Sequence, residues 1–138
     1  MKAFIFLLIL FYSQLGVAQT ASLTIVINGI EPIKGRLEIG IYNRADVFPE
    51  VGKQYKQVFQ PVWARTEKVK VSLPIGEYAV AVYHDEDTNG KCDKNFIGIP
   101  TEAYGFLLNF KLRFSAPGFD DAKFKLKRDT TIVIDLIH

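Results

Sequence analysis

Residues 84–93, with the sequence HDEDTNGKCD, form a dense run of oxygen-bearing side chains. These side chains stand at alternate positions, a glycine follows at position 90, and a further carboxylate ends the segment. A calcium ion takes about six to eight oxygen ligands at roughly 2.3–2.6 Å, and a tight loop can supply several of them. Glycine allows the sharp turn that such a loop needs. The predicted calcium ligands are Asp85, Asp87, Asn89, the carbonyl oxygen of Lys91 and Asp93.

The segment matches only part of an EF-hand loop. Position twelve, counted from Asp85, holds Phe96 in place of a bidentate glutamate, and no helix pattern flanks the segment. Glu102 or Asp120 would complete the coordination shell if the fold brought either carboxylate to the loop. The alternative is a metal-free turn, in which Asp and Asn side chains accept hydrogen bonds from nearby backbone N–H groups.

His84 is the candidate general base of a metal-assisted hydrolase, because it stands next to Asp85. Adjacent residues on a strand point to opposite faces of the sheet, so these two side chains need not interact. No serine lies in a nucleophile-elbow pattern. Cys92 is the only cysteine, which excludes an internal disulfide, and a lone thiol is more typical of a partly buried apolar residue. We therefore expect a structural histidine and a non-enzymatic domain, with the hydrolase as the alternative.

Most of the chain alternates between apolar and polar residues with a period of two. This pattern predicts strands, since successive side chains of a strand point to opposite faces of the sheet. The run 78–83 is apolar on both faces, which is typical of a central strand. Only residues 44–52 leave room for a helical turn, and Pro49 limits it. The alternating runs are residues 23–28, 36–41, 68–73, 123–127 and 132–136, and residues 54–62 form a further candidate strand.

About seven short strands with turn residues between them predict an all-β fold. The expected architecture is a single antiparallel β-sandwich of immunoglobulin-like or transthyretin-like type, spanning residues 19–138. The net charge of +2 at pH 7 gives no basic surface of the kind that binds nucleic acid, so no nucleic-acid partner is expected.

The N-terminal residues predict a secretory signal peptide over residues 1–18. Lys2 precedes a short apolar run, and small residues at positions 16–18 suit cleavage by signal peptidase. The apolar run is too short to span a bilayer, and no later segment approaches that length, so no transmembrane segment is expected in the mature chain. The predicted location is therefore outside the cytoplasm, either periplasmic or secreted.

Three segments resemble the bacterial DUF2141 family. They are LPIGEYAVAVYHD at residues 73–85, FIGIPTEAYGF at 96–106 and APGFDDA at 116–122. The resemblance covers nearly the whole mature chain and implies an exported β-sandwich domain of unknown biochemical role. The turn that opens the first segment is also similar to turns in carboxypeptidase-regulatory and transthyretin-like domains.

The expected function is that of a binding or accessory domain of the cell envelope, in which the calcium loop rigidifies the turns around it. Tyr104 and Phe106 are the candidate contact residues, because they lie in a glycine- and aromatic-rich segment beside the loop. The expected partner is an envelope protein, a peptide or a glycan. Two alternatives are the hydrolase that uses His84 and a purely structural accessory domain in which the loop is only a stabilising clip.

Overall fold

The chain is described by a computed structural model that covers residues 16–108 and 116–138. Alternating apolar residues form the strands, as their period of two requires. The elements are β1 Thr20–Asn28, β2 Arg36–Tyr42, β3 Lys56–Pro61, β4 Thr66–Pro74, β5 Gly76–Asp85, β6 Tyr104–Phe106, α1 Phe119–Ala122, β7 Phe124–Leu126 and β8 Thr130–Asp135.

The strands form two packed sheets, which confirms the predicted all-β sandwich. The smaller sheet has the order β4-β1-β8, and the larger has the order β3-β2-β5-β6, with β7 also paired to β5. The strand predicted as central, β5, pairs with β2, β6 and β7. The described residues form eight strands against about seven expected for the chain, and β6 and β7 contribute only three residues each.

The core lies between the two sheets and is built from the apolar face of each strand. Full burial of a Leu or Ile side chain contributes about 1.5–3 kcal/mol. Alternate residues of β1, β2 and β5 supply the largest share of this layer. They include Leu23, Ile25 and Ile27 of β1, Leu37, Ile39 and Ile41 of β2, and Val80 and Val82 of β5.

One strand pair departs from the predicted antiparallel arrangement. β1 pairs with β4 in antiparallel fashion but with β8 in parallel, with Ile25 opposite Ile132. A two-residue hairpin forces antiparallel pairing, whereas a crossover allows strands to run in the same direction. β8 follows β7, which pairs with β5 in the opposite sheet, so the chain enters the smaller sheet by a crossover. No hairpin joins β8 to β1, and the two strands can therefore run in the same direction.

The outer face of the larger sheet is partly covered by loops and by α1. A second apolar cluster on this face contains Tyr42, Ala79, Phe119 and Ala122. The short helix was not predicted, because four residues carry too little periodicity to identify one. Residues 44–52, the segment that leaves room for a helical turn, form hydrogen-bonded turns and no helix, with the Glu50 N–H donating to the Val47 carbonyl oxygen.

The predicted signal peptide, residues 1–18, lies outside the described residues over its first fifteen positions. The aromatic residues Phe110 and Phe114 lie outside them as well. Within residues 16–108 and 116–138, no helix has the length and apolar character that a membrane crossing requires.

Candidate functional site

Alternate residues of β2 and β5 place a charged cluster on the outer face of the larger sheet. The register sets Arg36 opposite Asp85 and Glu38 opposite Tyr83, so their side chains project from the same face. Glu38 is 3% exposed and Asp85 is fully buried. Charged groups are rarely buried unless they are paired, so these two carboxylates require a partner.

Arg36 pairs with both buried carboxylates. Its Nε lies 3.1 Å from Glu38 Oε1 and 3.1 Å from Asp85 Oδ2. Its terminal NH2 nitrogen lies 2.6 Å from Glu38 Oε1 and 3.1 Å from Asp85 Oδ2. The guanidinium also stacks over the Phe59 ring at 4.7 Å from the ring centroid. One positive charge thus serves two negative charges, and the cluster keeps a net charge of about −1.

The second oxygen of Glu38 accepts hydrogen bonds from two neighbours. Gln57 Nε2 donates to Glu38 Oε2 at 3.0 Å, and the Tyr83 hydroxyl donates to the same oxygen. Burial, and then the hydrogen bond to Glu38, raise the pKa of Tyr83 above its usual value, so the hydroxyl stays protonated as a donor. The four donated bonds occupy the acceptor capacity of the Glu38 carboxylate.

A cavity of about 150 Å³ opens next to this cluster. Its floor is formed by Gly40 and Ala81, which face each other in the β2–β5 register. A Cβ atom at position 40 would lie 2.8 Å from Cε2 of Tyr42, so glycine allows that ring to lie over the strand. The aromatic lining residues are Tyr42, Tyr83, Tyr104 and Phe106, and the polar ones include Glu38, Gln54, Gln57 and Lys94.

The predicted contact residues Tyr104 and Phe106 both lie on this cavity. They belong to β6, where Tyr104 pairs with Tyr83 and Phe106 with Ala81. Their rings lie 6.1 Å apart. Burial raises the pKa of Tyr42 to about 12, so this phenol, like Tyr83, is neutral near pH 7. The cavity therefore has aromatic walls with hydroxyl groups and one buried carboxylate.

Asp85 joins the cluster to the loop that follows β5. Its Oδ1 accepts a hydrogen bond from the Asn89 N–H and its Oδ2 from the Gly90 N–H, each at 3.0 Å. Burial opposes ionisation, but these bonds and the charge of Arg36 outweigh it, so the pKa of Asp85 is lowered from 3.8. Gly90 has a φ of +76°, the left-handed region that glycine enters without strain.

The other predicted loop ligands are linked by hydrogen bonds. Asn89 Nδ2 donates to Asp87 Oδ2 at 2.9 Å and to Asp93 Oδ2 at 3.1 Å. The Lys91 N–H donates to Asn89 Oδ1 at 2.8 Å. A carboxylate oxygen has two lone pairs, so oxygens that accept a single bond keep capacity for a further donor or a cation.

Glu102, one of the two carboxylates named as possible further ligands, lies at the loop. Its Oε1 accepts from the Glu86 N–H at 3.0 Å and its Oε2 from the Asp93 N–H at 3.1 Å. One oxygen each from Asp85, Asp87 and Glu102 lie within 4.8 Å of one another. Burial raises the pKa of Glu102 despite the two N–H donors. Three carboxylates at this spacing are able to hold a cation of the calcium type.

Asp120 does not join the loop. It lies in α1, where its carboxylate pairs with Lys123 at 2.9 Å. The helix packs against Tyr42 and Ala79. Ala79 precedes Asp85 by six residues of β5, which is about 20 Å at roughly 3.3 Å per residue. The fold therefore does not bring Asp120 to the loop, and of the two candidate carboxylates it is Glu102 that lies there.

His84 lies on the core side of β5, opposite to the face that carries Asp85. Its side chain is fully buried, and Nε2 lies 2.7 Å from the Lys34 carbonyl oxygen. Nδ1 has no hydrogen-bond partner among the described residues. Cys92, at the cavity, is half-buried, and burial raises the pKa of its thiol to about 11, which disfavours the nucleophilic thiolate near neutral pH.

The family profile described as "Uncharacterized protein conserved in bacteria (DUF2141)" matches residues 25–133. The chain belongs to the DUF2141 family. The matched residues include every member of the Arg36 cluster, the cavity floor and the acidic loop, so this DUF2141 domain contains the whole candidate site. Comparison with curated proteins and with solved structures gives no match.

Sequence reasoning missed Arg36, Glu38 and Gln57 of this DUF2141 chain. The alternation over residues 36–41 predicts that the first two face solvent, yet Glu38 is buried. The signal in the sequence is the run 78–83, which is apolar on both faces and so needs a second covering layer, but that this run pairs with β2 is seen only in the structure. Charged residues beside it in the sheet are then buried under the same layer.

Proposed function

We propose that this chain is a non-enzymatic binding domain of the cell envelope, exported to the periplasm or beyond, whose ligand occupies the cavity on the outer face of the larger sheet. The observation that carries the proposal is the cavity itself, with about 150 Å³ of space between four aromatic rings and a buried carboxylate. Binding sites are typically concave and mostly apolar, with a few convergent polar groups.

Calcium is the proposed second component, held by the loop between β5 and β6. The grouped oxygens of Asp85, Asp87 and Glu102 support this. Asn89, Asp93 and the Lys91 carbonyl complete the proposed ligand set, and an ion there would replace the hydrogen bonds that the Asn89 amide group donates to Asp87 and Asp93. The chemistry of calcium suits this set, since carboxylate, amide and backbone oxygens are its usual ligands. Its role here would be to hold the loop that forms one side of the cavity, which Cys92 and Lys94 line.

The calcium proposal is tested by thermal unfolding of the mature protein in EDTA and in millimolar calcium. An ion that binds the folded state only stabilises it by about 2.7 kcal/mol at a hundredfold excess over Kd. We expect the melting temperature to rise with calcium in the wild type and to stay constant in Asp87→Ala. Asp121→Ala is the matched control, because Asp121 is an acidic residue of α1, away from the loop.

An equal melting temperature in EDTA and calcium, after complete metal removal, would contradict the calcium proposal. The loop would then be a turn held by its own hydrogen bonds, which the contacts of Asn89 with Asp87 and Asp93 support as the second candidate. In that case the domain is a binding or purely structural accessory module without an ion.

The hydrolase alternative has little support from the position of His84. The imidazole faces the sandwich core and contacts the Lys34 carbonyl oxygen, whereas the acidic cluster lies on the opposite face of β5. A base must reach the proton that it abstracts within about 2.6–3.2 Å or through one water. Hydrolysis that is lost in His84→Gln, with folding intact, would restore the alternative.

A further inference from the structure

We propose that the cavity binds a ring-sized organic cation, an ammonium group carried on an aromatic or aliphatic ring. This inference rests on the proposed binding function and names the class of its ligand. It follows from the size of the cavity, the charge beneath it and the nature of its walls.

The volume fits one ring. A cavity of about 150 Å³ in a protein interior is large enough to hold benzene, and the cavity here has about this volume. Because Gly40 and Ala81 form its floor, a ring can approach the sheet closely. A ligand of several rings would extend beyond the cavity into solvent.

The charge beneath the cavity favours a cation. Arg36 is shared between Glu38 and Asp85, so one positive charge faces two buried carboxylates. Buried charge that is incompletely paired is costly, and a ligand that supplies the missing positive charge reduces this cost. Calcium at the loop would compensate the charge of Asp85, so the charge argument applies to the metal-free protein, in which Glu38 and Asp85 share one guanidinium, and the titrations below are made in EDTA.

The cavity also offers a specific acceptor. The four acceptor positions of Glu38 are already used, so the ammonium group would contact the Tyr83 oxygen instead of the carboxylate. Because the Tyr83 hydroxyl donates to a carboxylate, its own oxygen becomes a stronger acceptor through hydrogen-bond cooperativity. Tyr42, Tyr104 and Phe106 contribute aromatic walls, and the faces of such rings attract cations.

Lys94 provides a test of the ligand class, because this exposed residue also lines the cavity. Its positive charge repels an organic cation but would attract a ligand with a carboxylate or phosphate. Removal of the lysine charge therefore separates the two classes of ligand by the sign of its effect. Because Lys94 is exposed, its replacement is expected to leave folding intact.

The test compares benzylamine, which is protonated at pH 7, with benzyl alcohol, its neutral counterpart of the same size. Both are titrated into the mature protein in EDTA and followed by NMR chemical shifts. We expect benzylamine to bind about tenfold more tightly in the wild type. Lys94→Gln should strengthen binding of benzylamine, and Glu38→Gln should reduce the difference between the two ligands. Ala81→Leu, which fills the floor of the cavity, should abolish binding of both.

Three results would overturn the inference. Equal binding of the two compounds, or weaker binding of benzylamine in Lys94→Gln, would show that the cavity does not select a cation. If the two compounds bind equally and Ala81→Leu removes both, the proposed binding function stands and only the ligand class is wrong. If the wild type binds neither compound at millimolar concentration, the inference fails. The proposed function of the cavity fails with it, since neither a charged nor a neutral ring enters the space that Ala81 borders.

Discussion

The outer faces of the two sheets are built on different principles. On the three-stranded sheet, the outward residues are half-exposed or exposed, among them Ser22, Thr24, Lys70 and Thr131 and the apolar pair Val26 and Val133. On the five-stranded sheet, the outward residues include two buried carboxylates, a shared arginine and the walls of a cavity. Both sheets contribute a similar apolar face to the core.

The difference is visible in how burial alternates along the strands. β1 alternates strictly between buried and half-exposed residues after its first position, whereas β5 has buried residues on both of its faces. A strand that is buried on both faces needs two covering layers. One layer is the opposite sheet, and within the described part of the chain the other consists of loops and α1, which leave the cavity open. The proposed ligand would lie at this opening between the described segments.

The largest expected difference in stability between the two outer faces follows from replacing Asp85. Asp85→Ala leaves Arg36 with one carboxylate fewer and removes the acceptor of the Asn89 and Gly90 N–H groups. Removal of one partner from a buried ion pair costs about 3–5 kcal/mol. Lys70→Ala, on the exposed face of the other sheet, should change stability by less than about 0.5 kcal/mol. Urea unfolding in EDTA measures both, and similar values would remove the distinction between the faces.

A smaller effect is expected at the Tyr83 hydroxyl. Tyr83→Phe keeps the ring but leaves the buried Glu38 without one of its donors. An unsatisfied buried group costs about 1–3 kcal/mol. Tyr55→Phe is the matched control, because Tyr55 is half exposed and should stay within about 0.5 kcal/mol of the wild type. Urea unfolding in EDTA measures the stability of both variants. Equal free energies of unfolding for the two would mean that the Tyr83 hydroxyl contributes nothing to the stability of the cluster.

The smallest expected effect concerns how the stability of the protein falls at acid pH. The pKa of Asp85 is lower in the folded protein than its usual value of 3.8, so the folded state holds the carboxylate form more strongly. Its contribution is therefore complete above about pH 4 and is lost as the pH falls through the folded-state pKa. Asp85→Asn should lose less stability between about pH 5 and pH 2 than the wild type.

The control for the acid experiment is Asp46→Asn. The pKa of Asp46 is also lowered, first by its hydrogen bond to Arg44, but both side chains are mostly exposed. Exposed ion pairs contribute little to stability. We expect this variant to follow the acid unfolding of the wild type. If the loss of stability in acid changes as much in Asp46→Asn as in Asp85→Asn, that loss is caused by general charge repulsion and not by Asp85.

Much of the fold was predictable because alternation is a local signal. The runs that contain Leu23, Ile39 and Val71 all became strands with those residues in the core. The order of strands and the parallel pairing of β1 with β8 were not predictable in this way. Register between distant strands depends on packing across the sandwich, which no single segment encodes.

The site was predictable only where its residues are close in sequence. The spacing of residues 85–93 predicts a loop of oxygen ligands, and Glu102 does lie at this loop because the chain returns to it after residue 93. Asp120 was not separable from Glu102 by sequence, since both are single carboxylates after the loop. The Arg36 cluster required the β2–β5 register, which brings residues 36 and 85 together across 49 positions of chain.

The position of β1 has a consequence for how the domain assembles. β1 is the middle strand of its sheet, and its parallel partner β8 is separated from it by 107 residues at the pair Asn28 and Asp135. Contacts between residues so distant in the chain slow folding, because a long loop must close before they form. β1 therefore leaves the ribosome well before β8 and has one unpaired edge until the last strand arrives. In this sheet the last strand to be synthesised is also the last to pair, so the sheet is complete only after almost the whole domain has emerged.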